Sequence, residues 1–121
     1  MMTFGEKTIK KEILYEGKIL NLEKHQVRLQ NGELADRELI FHGPAVGIFA
    51  LRDDKIVLVR QYRKGIEAVS LEVPAGLVDP NEDLLVAAKR EFAEETGMAG
   101  ENWQQLDGFY VTPGYNDEFI Q

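Results

Sequence analysis

At 121 residues the chain is one domain's worth of protein, enough for a real core but small for a two-layer mixed fold. A net charge of −7 with no basic run or stripe argues against nucleic acid as the main ligand, and an acidic protein acting on anionic phosphates needs a metal ion to mediate contact. There is no cysteine, hence no disulfide or thiol chemistry, and neither an apolar N-terminal signal nor a membrane-length stretch, so a soluble, cytoplasmic protein is expected.

In chain order, residues 8–15 mix Ile9, Ile13 and Leu14 with charges and read as a half-exposed strand. Residues 19–29 alternate imperfectly, Gln30-Asn31-Gly32 makes a hairpin turn, and 34–41 return as a strand. Residues 1–43 are thus expected to form a β-meander beside a main domain of 44–121. His42-Gly43-Pro44 punctuates, and two β-rich runs follow, 45–51 and 55–62, joined by a turn at Asp53-Asp54. A short strand at 69–73 closes on Pro74-Ala75-Gly76. A helix is predicted over 80–96, with Asp79 as cap, Pro80 at the first helical position and Glu82 reaching back. Leu85, Ala88 and Phe92 make its apolar stripe, and Gly97 is the left-handed stop. A last strand is expected at 103–112 before the Pro113-Gly114 loop. The order strand–strand–strand–helix–strand predicts a mixed sheet packed between helices. His25 and His42 lack metal-ligand partners at sensible spacing and read as turn or surface residues, whereas Trp103, Phe109 and Tyr110 read as core.

The chemistry concentrates between Gly76 and Met98. Glu91, Glu94 and Glu95 stand three and four residues apart, so their carboxylates converge on one side of the helix. They repel one another, and they lie in the helix half where the dipole disfavours anions. A divalent cation relieves both penalties; hard oxygen donors suit magnesium or manganese, which also neutralise phosphate oxygens. The same three residues alone, beside Lys89 and Arg90, would read as a solvated acidic face.

The full pattern decides between these readings. Gly76, Glu82, Arg90, Glu91, Glu94, Glu95 and Gly97 form Gly-x5-Glu-x7-Arg-Glu-x2-Glu-Glu-x-Gly, seven fixed positions that random sequence meets about once in 10⁸ trials. This segment resembles the signature of the Nudix hydrolases, which split a diphosphate linked to another moiety. The resemblance implies an α+β fold, an α/β/α sandwich around a mixed β-sheet.

Outside that segment, Arg37-Glu38, His42, Pro44-Ala45-Val46, Gln61-Tyr62-Arg63, Leu71-Glu72-Val73-Pro74-Ala75-Gly76 and Thr112-Pro113-Gly114 are similar to the ADP-ribose pyrophosphatase branch, in which a proline follows the signature by about fifteen residues, as Pro113 does. The likeness covers about residues 15–120. It implies Glu91 and Glu95 as main metal carboxylates, Glu94 assisting or holding a second ion, and the Ala75 carbonyl completing the ligand set. Arg90 would hold a motif carboxylate in place. Arg63 would bind diphosphate oxygen, Arg37 would lie near the adenine end and Glu118 near the ribose. Glu72 reads either as a substrate contact or as an arginine's partner. The implied activity is magnesium-dependent cleavage of ADP-ribose to AMP and ribose 5-phosphate. The alternatives are other nucleoside diphosphate sugars, oxidised nucleoside triphosphates, or a nucleotide-binding module without turnover. The resemblance also implies a homodimer in which the N-terminal strands pack on the partner. Gln121 falls within what reads as a strand, and similar enzymes continue through an acidic loop, a further strand and a closing helix. The expectation is a C-terminally truncated chain without the water-activating glutamate of that loop.

Overall fold

The computed structural model describes residues 4–121. They divide into two compact units, one running to Gly43 and including Tyr110–Glu118, the other of Pro44–Phe109 and Phe119–Gln121.

The first unit is a three-stranded antiparallel sheet of β1 (Lys7–Glu16), β2 (Leu20–Arg28) and β3 (Leu34–His42), in the order β1-β2-β3. The predicted turn closes on two backbone hydrogen bonds, Leu29 N–H to Glu33 O at 2.8 Å and Gly32 N–H to Leu29 O at 3.0 Å, and Gly32 takes a left-handed φ of +88°. β2 and β3 pair without interruption from Leu20↔His42 to Arg28↔Leu34. β1 pairs with β2 less regularly, its register shifting between Thr8 and Lys10 and again between Ile13 and Tyr15. Every residue of β1 is exposed.

His25 corrects the sequence reading, because it is buried rather than in a turn or on the surface. It shares the inward face of the central strand with buried Val27, two residues on; its ring stacks on Phe41 at 5.9 Å and its Nε2 lies 2.9 Å from Glu23 Oε1. Ligand spacing says nothing about which face of a strand is covered. Residues 110–118 join this unit through Ile40, whose N–H donates to Tyr115 O at 2.7 Å and whose carbonyl accepts from Asp117 N–H at 3.1 Å.

The second unit holds β4 (Ala45–Gly47), β5 (Leu51–Arg52), β6 (Lys55–Ile56), β7 (Val59–Arg63), β8 (Ala68–Glu72), β9 (Ala75–Leu77), α1 (Leu84–Thr96), the first residue of β10 (Phe109–Tyr110) and β11 (Phe119–Ile120). Its largest sheet is ordered β10-β11-β4-β9 and is mixed, β4 running parallel to β11 and antiparallel to β9. β5–β6 and β7–β8 are antiparallel hairpins. The runs expected at 45–51 and 55–62 are each divided because they change partners. Ile48 N–H still bonds Pro74 O, whereas Ala50 O already accepts from Val57 N–H. Asp53 and Asp54 make the expected turn, both with positive φ. Ala75 and Gly76, read as a closing loop, pair with β4 as a strand.

The helix starts at Leu84, not Pro80. Asn81 adopts a left-handed φ of +63°, which ends the first turn, and Asp83 becomes the cap, its Oδ2 accepting from Leu85 N–H at 3.0 Å and Val86 N–H at 3.2 Å. The predicted reach-back of Glu82 forms in the turn before the helix, where its Oε1 accepts from Asp79 N–H at 3.0 Å. Gly97 is the left-handed stop, with φ +71°. Val46, Ile48, Ala87 and Phe92 form the core, with Leu84, Ala88, Met98 and Trp103 packed around them. Leu85 is exposed, so the apolar stripe starts one residue earlier than predicted: β4 and β9, against which α1 packs, select the face.

Trp103 meets Phe92 edge-on at 6.0 Å, as a core residue should, but Phe109 and Tyr110 are 59% and 58% exposed, contrary to expectation. The strand predicted at 103–112 contracts to Phe109–Tyr110, and 110–118 departs to the first unit. α1 is the single helix among the described residues, so the second helical layer of a sandwich is not among them. No helix is long and apolar enough to cross a membrane.

Candidate functional site

The signature residues gather where α1 crosses β9, all within the second unit. Glu91 lies on the Gly76 backbone so closely that a Cβ there would fall inside its carboxylate. This contact explains the glycine, since Gly76 has no positive φ that would otherwise demand one.

Arg90 organises the carboxylates around it. Its Nε and Nη2 grip Glu82 Oε2 and Oε1, each at 2.8 Å, while Nη2 also donates to Leu77 O at 3.1 Å. Nη1 donates to Glu91 Oε1 at 2.9 Å and lies 3.5 Å from Glu94 Oε2. One planar fork thus ties the turn, β9 and two signature glutamates together. The guanidinium and the Asp79 N–H hold the Glu82 carboxyl down at about 2, and carboxylate contacts raise the Arg90 pKa. Because the folded pKa lies below the ordinary 4.5, the stabilisation from Glu82 is complete above that value and disappears as pH falls through about 2.

Ladder geometry aims Ala75. Alternate residues of an antiparallel pair turn both polar groups toward the same neighbour. Gly47, opposite Ala75, donates its N–H to Gln121 O on the β11 side, so the Gly47–Ala75 pair is not bonded across and the polar groups of Ala75 face off the sheet edge. Its N–H there meets Glu95 Oε2 at 3.3 Å, leaving the carbonyl aimed off the same edge.

Arg63 and Glu72, from β7 and β8, form a second fork, Nε to Oε2 at 2.8 Å and Nη2 to Oε1 at 2.5 Å. Glu72 raises the Arg63 pKa, and the charge of Glu95 adds to the effect; in return Arg63, and to a lesser degree Ser70, lower that of Glu72. Ser70 carried no functional signal in the sequence beyond its spacing of two from Glu72 on a strand.

The first unit holds the other two predicted residues. Arg37 is gripped by Glu6 through Nε at 3.0 Å and Nη2 at 2.6 Å. Glu118 Oε2 lies 3.0 Å from His42 Nδ1, a partner that the sequence reading did not assign to this histidine. His42 N–H donates to Asp117 Oδ1 at 2.6 Å. Signature spacing cannot reveal such a contact, since it depends on 110–118 returning to β3.

The donors fit a hard divalent cation in kind: three carboxylates on one helix and an edge carbonyl beside them, with Gly76 leaving room for backbone and carboxylate to meet. Among the described residues no three acidic or imidazole side chains are gathered into a ready cage. Arg90 holds Glu91 and approaches Glu94, while Glu95 turns to the Ala75 N–H.

Fold and site define an α+β protein whose acidic helix is seated on a glycine-bearing edge strand. The family model for the NUDIX domain matches residues 41–121, and that for the nucleoside diphosphate sugar hydrolase N-terminal domain matches 6–40. The chain belongs to the Nudix family. It is 42% identical over 118 residues to the methanol dehydrogenase activator of Bacillus methanolicus, covering 97% of this chain and 64% of that protein. It is 38% identical over 121 residues to the ADP-ribose pyrophosphatase of Bacillus subtilis (strain 168), covering 99% and 65%. A crystal structure of an ADP compounds hydrolase superimposes with a TM-score of 0.88 at 25% identity, over 99% of this chain and 66% of that one. The chain therefore spans just under two thirds of the length of these relatives.

Proposed function

We propose that this chain carries the metal and diphosphate machinery of a cytoplasmic hydrolase that cleaves ADP-ribose to AMP and ribose 5-phosphate. The observation that supports this reading best is the seating of Glu91 on Gly76 beside the Arg90 fork and the Ala75–Glu95 edge. Nudix hydrolases generally use divalent metal ions. Here Glu91, Glu94, Glu95 and the Ala75 carbonyl would hold magnesium or manganese. Held there, such an ion would neutralise charge at the diphosphate and lower the pKa of a water molecule. Arg90 keeps Glu91 at its post, and Arg63 offers a fixed cation to diphosphate oxygen. Arg37 is assigned to the adenine end and Glu118 to the ribose, and the relatives named as ADP-ribose pyrophosphatases favour that substrate.

With magnesium present, the expected products from ADP-ribose are AMP and ribose 5-phosphate, formed faster than pyrophosphate from any nucleoside triphosphate. Product chromatography from parallel reactions decides this. Faster triphosphate cleavage would reject the substrate, and tight nucleotide binding without turnover would favour a binding module.

A homodimer belongs to the same reading. Ile9, Ile13, Leu14 and Tyr15 are 44–61% exposed on β1, an apolar group on an edge strand of the kind that marks an interaction surface. A second copy packing on the N-terminal strands would cover it, and two-fold dimers are the commonest assemblies. Light scattering at micromolar concentration is expected to give twice the chain mass, and a clean monomer would refute the pairing.

A further inference from the structure

We propose that Glu72 is a positioning residue that draws Arg63 along the β7–β8 hairpin and leaves one edge of its guanidinium presented to the diphosphate. This rests on the reading above, in which Arg63 binds diphosphate oxygen.

The hairpin register carries the argument. Arg63 pairs with Ala68 at the turn end, whereas Glu72 pairs with Val59 at the open end. Four residues of strand separate the two positions, roughly 13 Å along the sheet. Directly opposite pairs share a face, so Val59 and Glu72, Gln61 and Ser70, and Arg63 and Ala68 all lie on one side. To reach Glu72, the Arg63 side chain must lie down along that side, over the Gln61–Ser70 pair. An arginine at a hairpin turn would otherwise point into solvent. Here its charge is carried to the open end of the hairpin, next to Pro74-Ala75, where Glu95 acts on it. Ser70, on the same face two residues before Glu72, also favours the charged form of that carboxylate.

The fork also selects which donors remain. Glu72 takes Nε and one N–H of Nη2. Of the five N–H groups of a guanidinium, the two on Nη1 and the second on Nη2 stay available, and together they form the end-on edge that matches two oxygens of a phosphate. The side chains of Arg63 and Glu72 are 48% and 23% exposed, so the pair adds little to stability, and binding can be separated from folding.

The test is calorimetric titration of the 121-residue chain with pyrophosphate in excess magnesium, with ADP-ribose turnover and melting temperature measured alongside. Glu72→Ala is expected to weaken pyrophosphate binding about tenfold, the worth of one aimed charged hydrogen bond, with an unchanged melting temperature. Glu72→Gln, which keeps one acceptor, should fall between wild type and Glu72→Ala. Arg63→Ala should weaken binding at least as much as Glu72→Ala, and the double variant no further than Arg63→Ala alone, because Glu72 acts only through Arg63. Additive losses would overturn the proposal in favour of direct contact by Glu72, and tighter binding in Glu72→Ala would overturn it in favour of a competitor. Wild-type binding of pyrophosphate without ADP-ribose cleavage would reject the functional reading while the positioning role stands; no binding by wild type would overturn both.

Discussion

Gly76→Ala is expected to lose both stability and magnesium affinity. The added Cβ would occupy the space of the Glu91 carboxylate, and neither side can yield easily. Glu91 is tied to Arg90, which is itself tied to Glu82, and β9 is held in register against β4. Overpacking of this kind costs about 1–3 kcal/mol, and relief by swinging Glu91 outward would remove a metal donor. Gly65→Ala is the matched control, since a Cβ there meets nothing within 4 Å and the glycine has no positive φ. Urea unfolding and a magnesium titration of both variants measure the two effects. A Gly76→Ala protein as stable as Gly65→Ala and equally avid for magnesium would show that the contact constrains neither.

Glu95→Gln separates the metal role from the fold. Glutamine keeps one oxygen able to accept from the Ala75 N–H, so the edge of β9 stays anchored and stability should change by no more than about 0.5 kcal/mol. The lost charge matters to a cation. Changing even an outer partner of a metal ligand costs about 10–100-fold, so losing a ligand should reduce magnesium-dependent turnover by more than about 100-fold in an active form. Magnesium affinity measured directly should fall with it. Wild-type turnover and affinity in this variant would remove Glu95 from the metal set.

Both variants act at residues readable from spacing alone, and the reason is physical. Among the described residues the three carboxylates do not converge, since Arg90 holds Glu91 and Glu95 turns to the Ala75 N–H. The end of α1 at Gly97, the reach-back of Glu82 and the spacing of Glu91, Glu94 and Glu95 along α1, by contrast, depend on contacts within one or two helical turns. Local geometry therefore determines them wherever the segment sits. The Gln30–Gly32 turn is equally local, and it too forms as read. The helix start is local as well, yet the pattern does not determine it, because Asp79 and Asp83 are both competent caps and only the left-handed Asn81 chooses between them.

The family and the identity of the acidic cluster were thus determined by the sequence itself, since seven spaced residues carry them without reference to anything distant. Tertiary structure decided what those residues touch. Arg63 and Glu72 meet only because a hairpin register places them on one face, and Ala75 turns its polar groups off the edge only because Gly47 bonds the other way. His25 is buried by Phe41, and Glu118 finds His42 when 110–118 returns to β3. A hydrogen bond or a packed ring needs two surfaces brought within a few ångströms, and for partners far apart in the chain that proximity is a property of the fold.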